Sequence, residues 1–277
     1  MEYALMRATV FLLALPPRAL NERLGRGLGS FIYSLGIRRK IVAKNLSIAF
    51  PGKSDAERAD IAKKSYQNLG VTLVEFSSMP NWSDRELKER AAFENVETFK
   101  QYYEKGKGVI IATGHLGPLD VAPARLQVEG FQVTTVYRTV RNPHVEDFIN
   151  RIRTLRGAKV AASGIGIRDA IKALKNGECI VILGDQDAGK NGIFAPFFGK
   201  PASTLPGPAE LAIRTGALLM LGTAVRDGDR VKLIAGEPIP VTTVDETTAE
   251  YNKRLEEVIR RWPEQYFWLH NRWKTEP

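Results

Sequence analysis

The chain has 277 residues, and 44% of them are hydrophobic, which excludes a disordered chain and fits one large or two small domains. Its single cysteine, Cys179, excludes an intramolecular disulfide and a Cys-rich zinc module, so no oxidising compartment is required. With 40 Lys+Arg against 31 Asp+Glu the net charge is +9, and the expected partner is anionic: nucleic acid, an acidic lipid face, a phosphorylated substrate or an acidic carrier protein.

More than half of that excess lies in residues 1–40, which hold seven basic and two acidic residues. The same stretch is apolar. Residues 8–15 form its longest uncharged apolar run, far short of the ~18–20 residues needed to cross a bilayer core. There is no basic region ahead of that run, and Pro16-Pro17-Arg18 is not a small-residue cleavage site, so a signal peptide is not expected. After the prolines, Leu20, Leu24, Leu28, Phe31, Ile32 and Leu35 recur at helical spacing with Arg23 and Arg26 off the stripe. Two readings stand: a helix pair packed on the core, or an amphipathic anchor on an anionic lipid face.

Ser54-Asp55-Ala56-Glu57 has the form of a capping box and predicts a long helix with Ile61, Leu69, Leu73 and Phe76 on its apolar face. Asn81-Trp82-Ser83-Asp84 predicts a turn into a short helix over 85–90. The period then changes. Strands are expected at 109–113, 133–137, 159–161, 179–183 and 217–225, with helices at 119–128, 146–155, 167–174 and 209–214 between them. After a turn at 226–229, residues 231–235 are expected to return as a hairpin on the sheet edge, and a helix over 247–262 closes the pattern. Alternating strands and helices predict an α/β fold with a mixed, largely parallel central sheet flanked by helices.

In such sheets ligands gather beyond the carboxyl ends of the strands. The 109–113 strand ends in Gly114-His115-Leu116-Gly117-Pro118-Leu119-Asp120. On an unbroken helix His115 and Asp120 would point about 140° apart, but a turn at Gly117-Pro118 lets them meet. The carboxylate would then fix the imidazole tautomer and leave the other ring nitrogen basic, a His–carboxylate pair suited to deprotonating a substrate hydroxyl. The competing reading is a loop histidine and an aspartate satisfying a helix dipole.

Arg138, after the 133–137 strand, suits bidentate contact with a phosphate or carboxylate. Arg141, Arg151, Arg153 and Arg156 read as a solvated basic helix face. The 179–183 strand ends in Asp185-Gln186-Asp187, a spacing that serves to hold a divalent metal, to orient sugar or glycerol hydroxyls, or simply to make a turn.

The stretch around Gly164-Ile165-Gly166 does not complete a dinucleotide fingerprint, and neither a phosphate-binding P-loop nor a G-x-S-x-G nucleophile elbow occurs. Cys179 opens an apolar strand and reads as a buried, inert thiol. His144 and His270 stand alone and read as structural, and no His-rich metal spacing is present.

Taken in order, the basic amphipathic N-terminus, Ala43-Lys44-Asn45-Leu46, Phe50-Pro51, Gly108-Val109-Ile110-Ile111 before His115-x4-Asp120, Val136-Tyr137-Arg138, Asp185-Gln186-Asp187, Pro196-Phe197-Phe198-Gly199 and Pro263-Glu264-Gln265-Tyr266-Phe267-Trp268 resemble the bacterial lipid A biosynthesis acyltransferases. These are the lauroyl/myristoyl transferase group of the lysophospholipid acyltransferase superfamily, and the likeness runs over essentially the whole chain. It implies a glycerolipid acyltransferase-like fold, with residues 1–50 as a helical membrane-associating region and 51–277 as the α/β acyltransferase domain.

The resemblance implies His115 and Asp120 as the catalytic pair. It implies Gly117, Pro118, Arg138, Asp185, Gln186 and Asp187 as substrate-binding residues, with backbone amides near Gly117 supporting the oxyanion. It also implies no cofactor, an acyl carrier protein or CoA thioester as donor, an anionic membrane glycolipid such as a lipid A precursor as acceptor, and no nucleic acid. The place of work would be the cytoplasmic face of the bacterial inner membrane, with peripheral attachment. Other acceptors, such as an inositol mannoside, a lysophospholipid or an aminolipid, stay open, as does a metal-dependent glycosyltransferase using Asp185 and Asp187.

Overall fold

A computed structural model of the protein describes residues 2–162, 166–228 and 230–277. Gly164 and Ile165, in the stretch compared with the dinucleotide fingerprint, and Asp229, in the turn expected at 226–229, lie outside the described residues.

Five helices precede the first strand: α1 (Glu2–Ala14), α2 (Arg18–Ser34), α3 (Arg39–Ala49), α4 (Asp55–Ser78) and α5 (Asp84–Arg90). The break between α1 and α2 falls at Pro16-Pro17, as ring geometry and the missing N–H require. Ser54 and Glu57 make the expected reciprocal capping box on α4, and Ser83 with Glu86 makes a second one on α5.

The next elements are β1 (Ala91–Phe93), α6 (Val96–Tyr103), β2 (Val109–Thr113), α7 (Val121–Val128), β3 (Val133–Tyr137), α8 (Pro143–Thr154), β4 (Lys159–Ala162), α9 (Ile167–Lys175) and β5 (Cys179–Leu183). The chain continues through β6 (Ile193–Phe197), β7 (Lys200–Thr204), α10 (Gly207–Thr215), β8 (Leu218–Asp227), β9 (Arg230–Pro238) and α11 (Val244–Arg261). Seven strands form one sheet in the order β1-β9-β8-β2-β5-β3-β4, and β6 and β7 form a separate antiparallel pair. Among the described residues, only β8 and β9 of the large sheet pair antiparallel. The fold is therefore α/β with a mostly parallel central sheet flanked by helices. Strands β2 and β5 are covered on both faces, which is why they read as unbroken apolar runs.

Three features depart from the expectation. β9 does return antiparallel to β8, but the edge beyond it is β1, a strand of three residues that is too short to show a period. Helix α6 and the β6–β7 hairpin were not foreseen. Helix α7 begins at Val121 rather than at 119, so Asp120 occupies its N-cap.

Helices α2 and α4 pack through backbone rather than through leucines. A Cβ at Gly29 would lie 2.0 Å from the Tyr66 carbonyl oxygen, and one at Gly25 would lie 2.5 Å from Val71 Cα. Only glycine tolerates such an approach. The glycine side of α2 thus faces α4, and Leu20, Leu24, Phe31 and Leu35 are left exposed. Helix α3 is tied to the chain's far end: the buried Asn45 amide donates to the carbonyls of Trp268 at 2.8 Å and His270 at 2.6 Å.

Candidate active site

Strands β2 and β5 are neighbours, parallel, and paired Thr113 to Leu183. His115 and Asp185 each lie two residues beyond that pair, so register alone sets their loops side by side at the carboxyl edge of the sheet. Asp185 Oδ1 is 2.7 Å from His115 Nδ1, and Asp185 Oδ2 accepts the His115 backbone N–H at 2.9 Å. One carboxylate therefore holds both the ring and the backbone of the histidine. The other ring nitrogen, Nε2, is 3.3 Å from the Gln186 side-chain amide nitrogen.

Asp185 is 2% exposed, and its charge survives burial because of its partners. Burial pushes its carboxyl up, but the charge and hydrogen bonds of His115, with Arg272 behind them, hold it below its ordinary value. For His115 burial pulls the imidazole down, and the Asp185 carboxylate, aided by Asp120, more than reverses this, leaving its pKa above 6.5. An ionised Asp185 accepts from Nδ1–H, so Nε2 carries the lone pair in the neutral ring.

The structure does not give the expected His115–Asp120 hydrogen bond. Asp120 Oδ1 instead accepts from Arg153 Nε at 2.8 Å, and Asp120 acts on the imidazole only through its charge. The reason is positional: the N-cap of α7 faces α8, and the place beside Nδ1 is already filled by Asp185. The backbone N–H of Gly117 is likewise not free for an oxyanion, because it donates to the Gln265 carbonyl at 3.0 Å. Gly117 has φ +58, and a Cβ there would lie 2.1 Å from the Ala224 carbonyl oxygen, so the turn requires glycine.

The segment after α11 completes the loop. Phe267 N–H donates to the His115 carbonyl at 2.9 Å, and Leu116 forms an antiparallel bridge with Tyr266. The Tyr266 hydroxyl lies against Asp185, and burial beside that charge holds the phenol well above its ordinary pKa.

A family model described as bacterial lipid A biosynthesis acyltransferase matches residues 2–275. The chain belongs to that family. It is 31% identical over 269 residues to a lipid A biosynthesis lauroyltransferase of Escherichia coli K12, covering 94% of this chain and 87% of the relative. A lipid A biosynthesis palmitoleoyltransferase of the same organism is 30% identical over 261 residues, with 92% and 85% covered. A lipid A biosynthesis myristoyltransferase, also from that strain, is 25% identical, with 94% and 82% covered.

In this lipid A biosynthesis acyltransferase family member, Asp187 faces away from Asp185. Its carboxylate accepts from the Thr275 hydroxyl at 3.0 Å and backbone at 3.2 Å, and its own N–H donates to His270 Nε2 at 2.9 Å. His270 accepts that bond as a neutral ring, and burial lowers its pKa. The two carboxylates of Asp185-Gln186-Asp187 thus serve different partners, and among the described residues no group of three or more His, Cys, Asp or Glu could hold a metal ion. Arg138 stands exposed just beyond β3, and Pro118 is buried behind the loop.

Arg153 and Arg156 are not a solvated face. Arg153 holds Asp120, and Arg156 bonds Asp84 at 3.1 Å and the Trp82 carbonyl. Arg272, which sequence reasoning missed, is 1% exposed and donates to Ser203 O and to Thr204 Oγ1 at 2.6 Å. Its place in the run from 268 to 273, between buried Trp268 and Trp273, was the one available signal. Cys179 is buried at the start of β5, and burial pushes its thiol up, as an inert core residue requires.

Proposed function

We propose that this acyltransferase moves a fatty acyl group from a thioester to a hydroxyl of a lipid A precursor. The observation that carries the reading is the chain Asp185–His115–Gln186 at the carboxyl edge of the sheet. Asp185 fixes the Nδ1–H tautomer, and Nε2 accepts the proton of the acceptor hydroxyl as its oxygen attacks the thioester carbonyl. The tetrahedral intermediate then collapses, the C–S bond breaks, and the imidazolium returns its proton to the leaving thiolate. Asp185, rather than Asp120, orients the base in this scheme, and Asp120 with Arg153 sets the charge beside it. Arg138, exposed just beyond β3, takes an acceptor phosphate by bidentate contact in this reading.

The donor is an acyl carrier protein or CoA thioester, and an acidic carrier complements the positive net charge of the chain. The named activities of the relatives, lauroyl, palmitoleoyl and myristoyl transfer in lipid A biosynthesis, support a fatty acyl donor and a lipid A acceptor.

Attachment is peripheral, on the cytoplasmic face of the inner membrane. No helix among the described residues is long and apolar enough to cross a membrane. Yet α1, α2 and the residues that end them expose Phe11, Leu12 and Leu15, then Leu20, Leu24, Phe31 and Leu35, beside the basic residues of the same segment. The direct test is acyl transfer from a carrier-protein thioester to a lipid A precursor by the intact protein and by His115→Ala. A loss of about 10²–10⁴-fold is expected for the variant, and near wild-type turnover would overturn the assignment.

A further inference from the structure

We infer that the Gln186 side-chain amide is the donor that stabilises the oxyanion of the tetrahedral intermediate. This rests on the acyl-transfer reading and adds a catalytic residue to it.

The first ground is that the loop around the base has few N–H groups left to offer. His115 N–H is held by Asp185, Leu116 N–H donates to Gly114 O, Gly117 N–H to Gln265 O, and Leu119 N–H to Gly117 O, while Pro118 has none. An acyl transfer still needs a donor aimed at the charge that develops on the carbonyl oxygen. A side chain can supply it, and the Gln186 amide stands against the reacting nitrogen.

The second ground is the position of that amide. Its nitrogen lies 3.3 Å from His115 Nε2, the nitrogen with the lone pair, so in the resting site the amide N–H points at the base. An acceptor hydroxyl that binds Nε2 takes the lone pair and leaves the amide without its acceptor. A hydroxyl oxygen seated about 2.8 Å from Nε2 brings the carbonyl it attacks to the same place, and the new oxyanion falls within hydrogen-bond reach of the freed N–H. The donor is thus held ready by the base and released by the substrate. No covalent step is added: the C–O bond forms, electrons move onto the carbonyl oxygen, and Gln186 stabilises that charge until the C–S bond breaks.

The third ground is rigidity. Gln186 sits between two anchored neighbours: Asp185, gripped to His115, and Asp187, whose N–H donates to His270 and whose carboxylate accepts from Thr275. A donor on such a backbone does not have to be reorganised during the reaction, which is where oxyanion stabilisation gains its size.

The test is steady-state kinetics of Gln186→Ala and of the near-isosteric Gln186→Glu, alongside wild type and His115→Ala, with a carrier-protein thioester and a lipid A precursor. Nitrogen NMR of the imidazole is recorded on each Gln186 variant. Both are expected to lose about 10²–10³-fold in kcat, the cost of one oxyanion donor, with acceptor KM close to wild type. The imidazole signals should still show the proton on Nδ1, which a general collapse of the site would not preserve. Gln186→Ala kcat within about threefold of wild type, or a loss confined to acceptor KM, overturns the inference while leaving the acyl-transfer reading intact. Absence of transfer by wild type with these substrates overturns the reading itself. If Gln186→Ala melts early, Gln186→Glu, which keeps the size of the side chain, decides the outcome.

Discussion

Asp185 grips His115 twice, ring at 2.7 Å and backbone at 2.9 Å, from a residue 70 positions away in sequence. This arrangement fixes the rotamer, the tautomer and the charge of the base together, so the carboxylate and the imidazole titrate as partners.

The pH dependence follows from that pairing. The raised pKa of His115 means that its ring is cationic, and Nε2 occupied by a proton, until the pH passes a value above 6.5. The rate of acyl transfer should therefore fall on acidification through a limb above pH 6.5 and level off on the alkaline side. Asp185→Asn removes the charge that raises the pKa, so the limb should move to lower pH while the plateau rate drops by about 10²–10⁴-fold. A pH–rate profile measures both, and an unmoved limb would assign it to another group.

Asp120 and Arg153 act on the same ring with opposite sign. The Asp120 charge raises the His115 pKa and the Arg153 charge lowers it. Asp120→Asn should move the acid limb down and Arg153→Met should move it up. Both variants also break the 2.8 Å ion pair between α7 and α8. Profiles of the two that shift the same way would show the effect to be conformational rather than electrostatic.

Asn45→Ala leaves the Trp268 and His270 carbonyls without the amide that both of them accept from. An unsatisfied buried group costs about 1–3 kcal/mol, and each kcal/mol lowers Tm by roughly 2–4 °C in a domain of this size. Calorimetry should show a fall of several degrees. Asp187 depends on His270 for its N–H contact, so turnover should fall as well, and full activity at a lowered Tm would separate α3 from the site.

Phe31 is 61% exposed and Leu35 is 58% exposed, so replacing both by Asp should leave the melting temperature nearly unchanged. If they dip into lipid, each contributes about 1.5–3 kcal/mol of apolar burial, and binding to anionic vesicles should weaken by ~100-fold or more. Vesicle co-sedimentation reads this directly. Unchanged binding would move the lipid contact elsewhere on the surface.

Much of the fold was legible because its physics is local. The apolar runs at β2, β3 and β5 read as strands because they are buried on both faces, and Ser54 announced its helix through a capping box that needs only four residues. Three-residue β1 and the β6–β7 hairpin were not legible, since the first is too short for a period and Pro196 and Pro201 interrupt the second. The leucine stripe on α2 was visible, but not which side of the helix is inward. Gly25 and Gly29 decide that only when the backbone of α4 arrives.

For the site, the sequence by itself determined which chemical groups stand at the strand ends: an imidazole after β2, an arginine after β3, and two carboxylates with an amide between them after β5. Only the tertiary structure decided who pairs with whom. The turn at Gly117-Pro118 left Asp120 free to meet His115, and the family resemblance implied that pairing. The parallel register of Thr113 with Leu183 brings Asp185 to the ring instead, and turns Asp120 toward Arg153. Hydrogen bonds are satisfied at about 3 Å in space, and sheet register sets those distances between residues that chain separation keeps far apart.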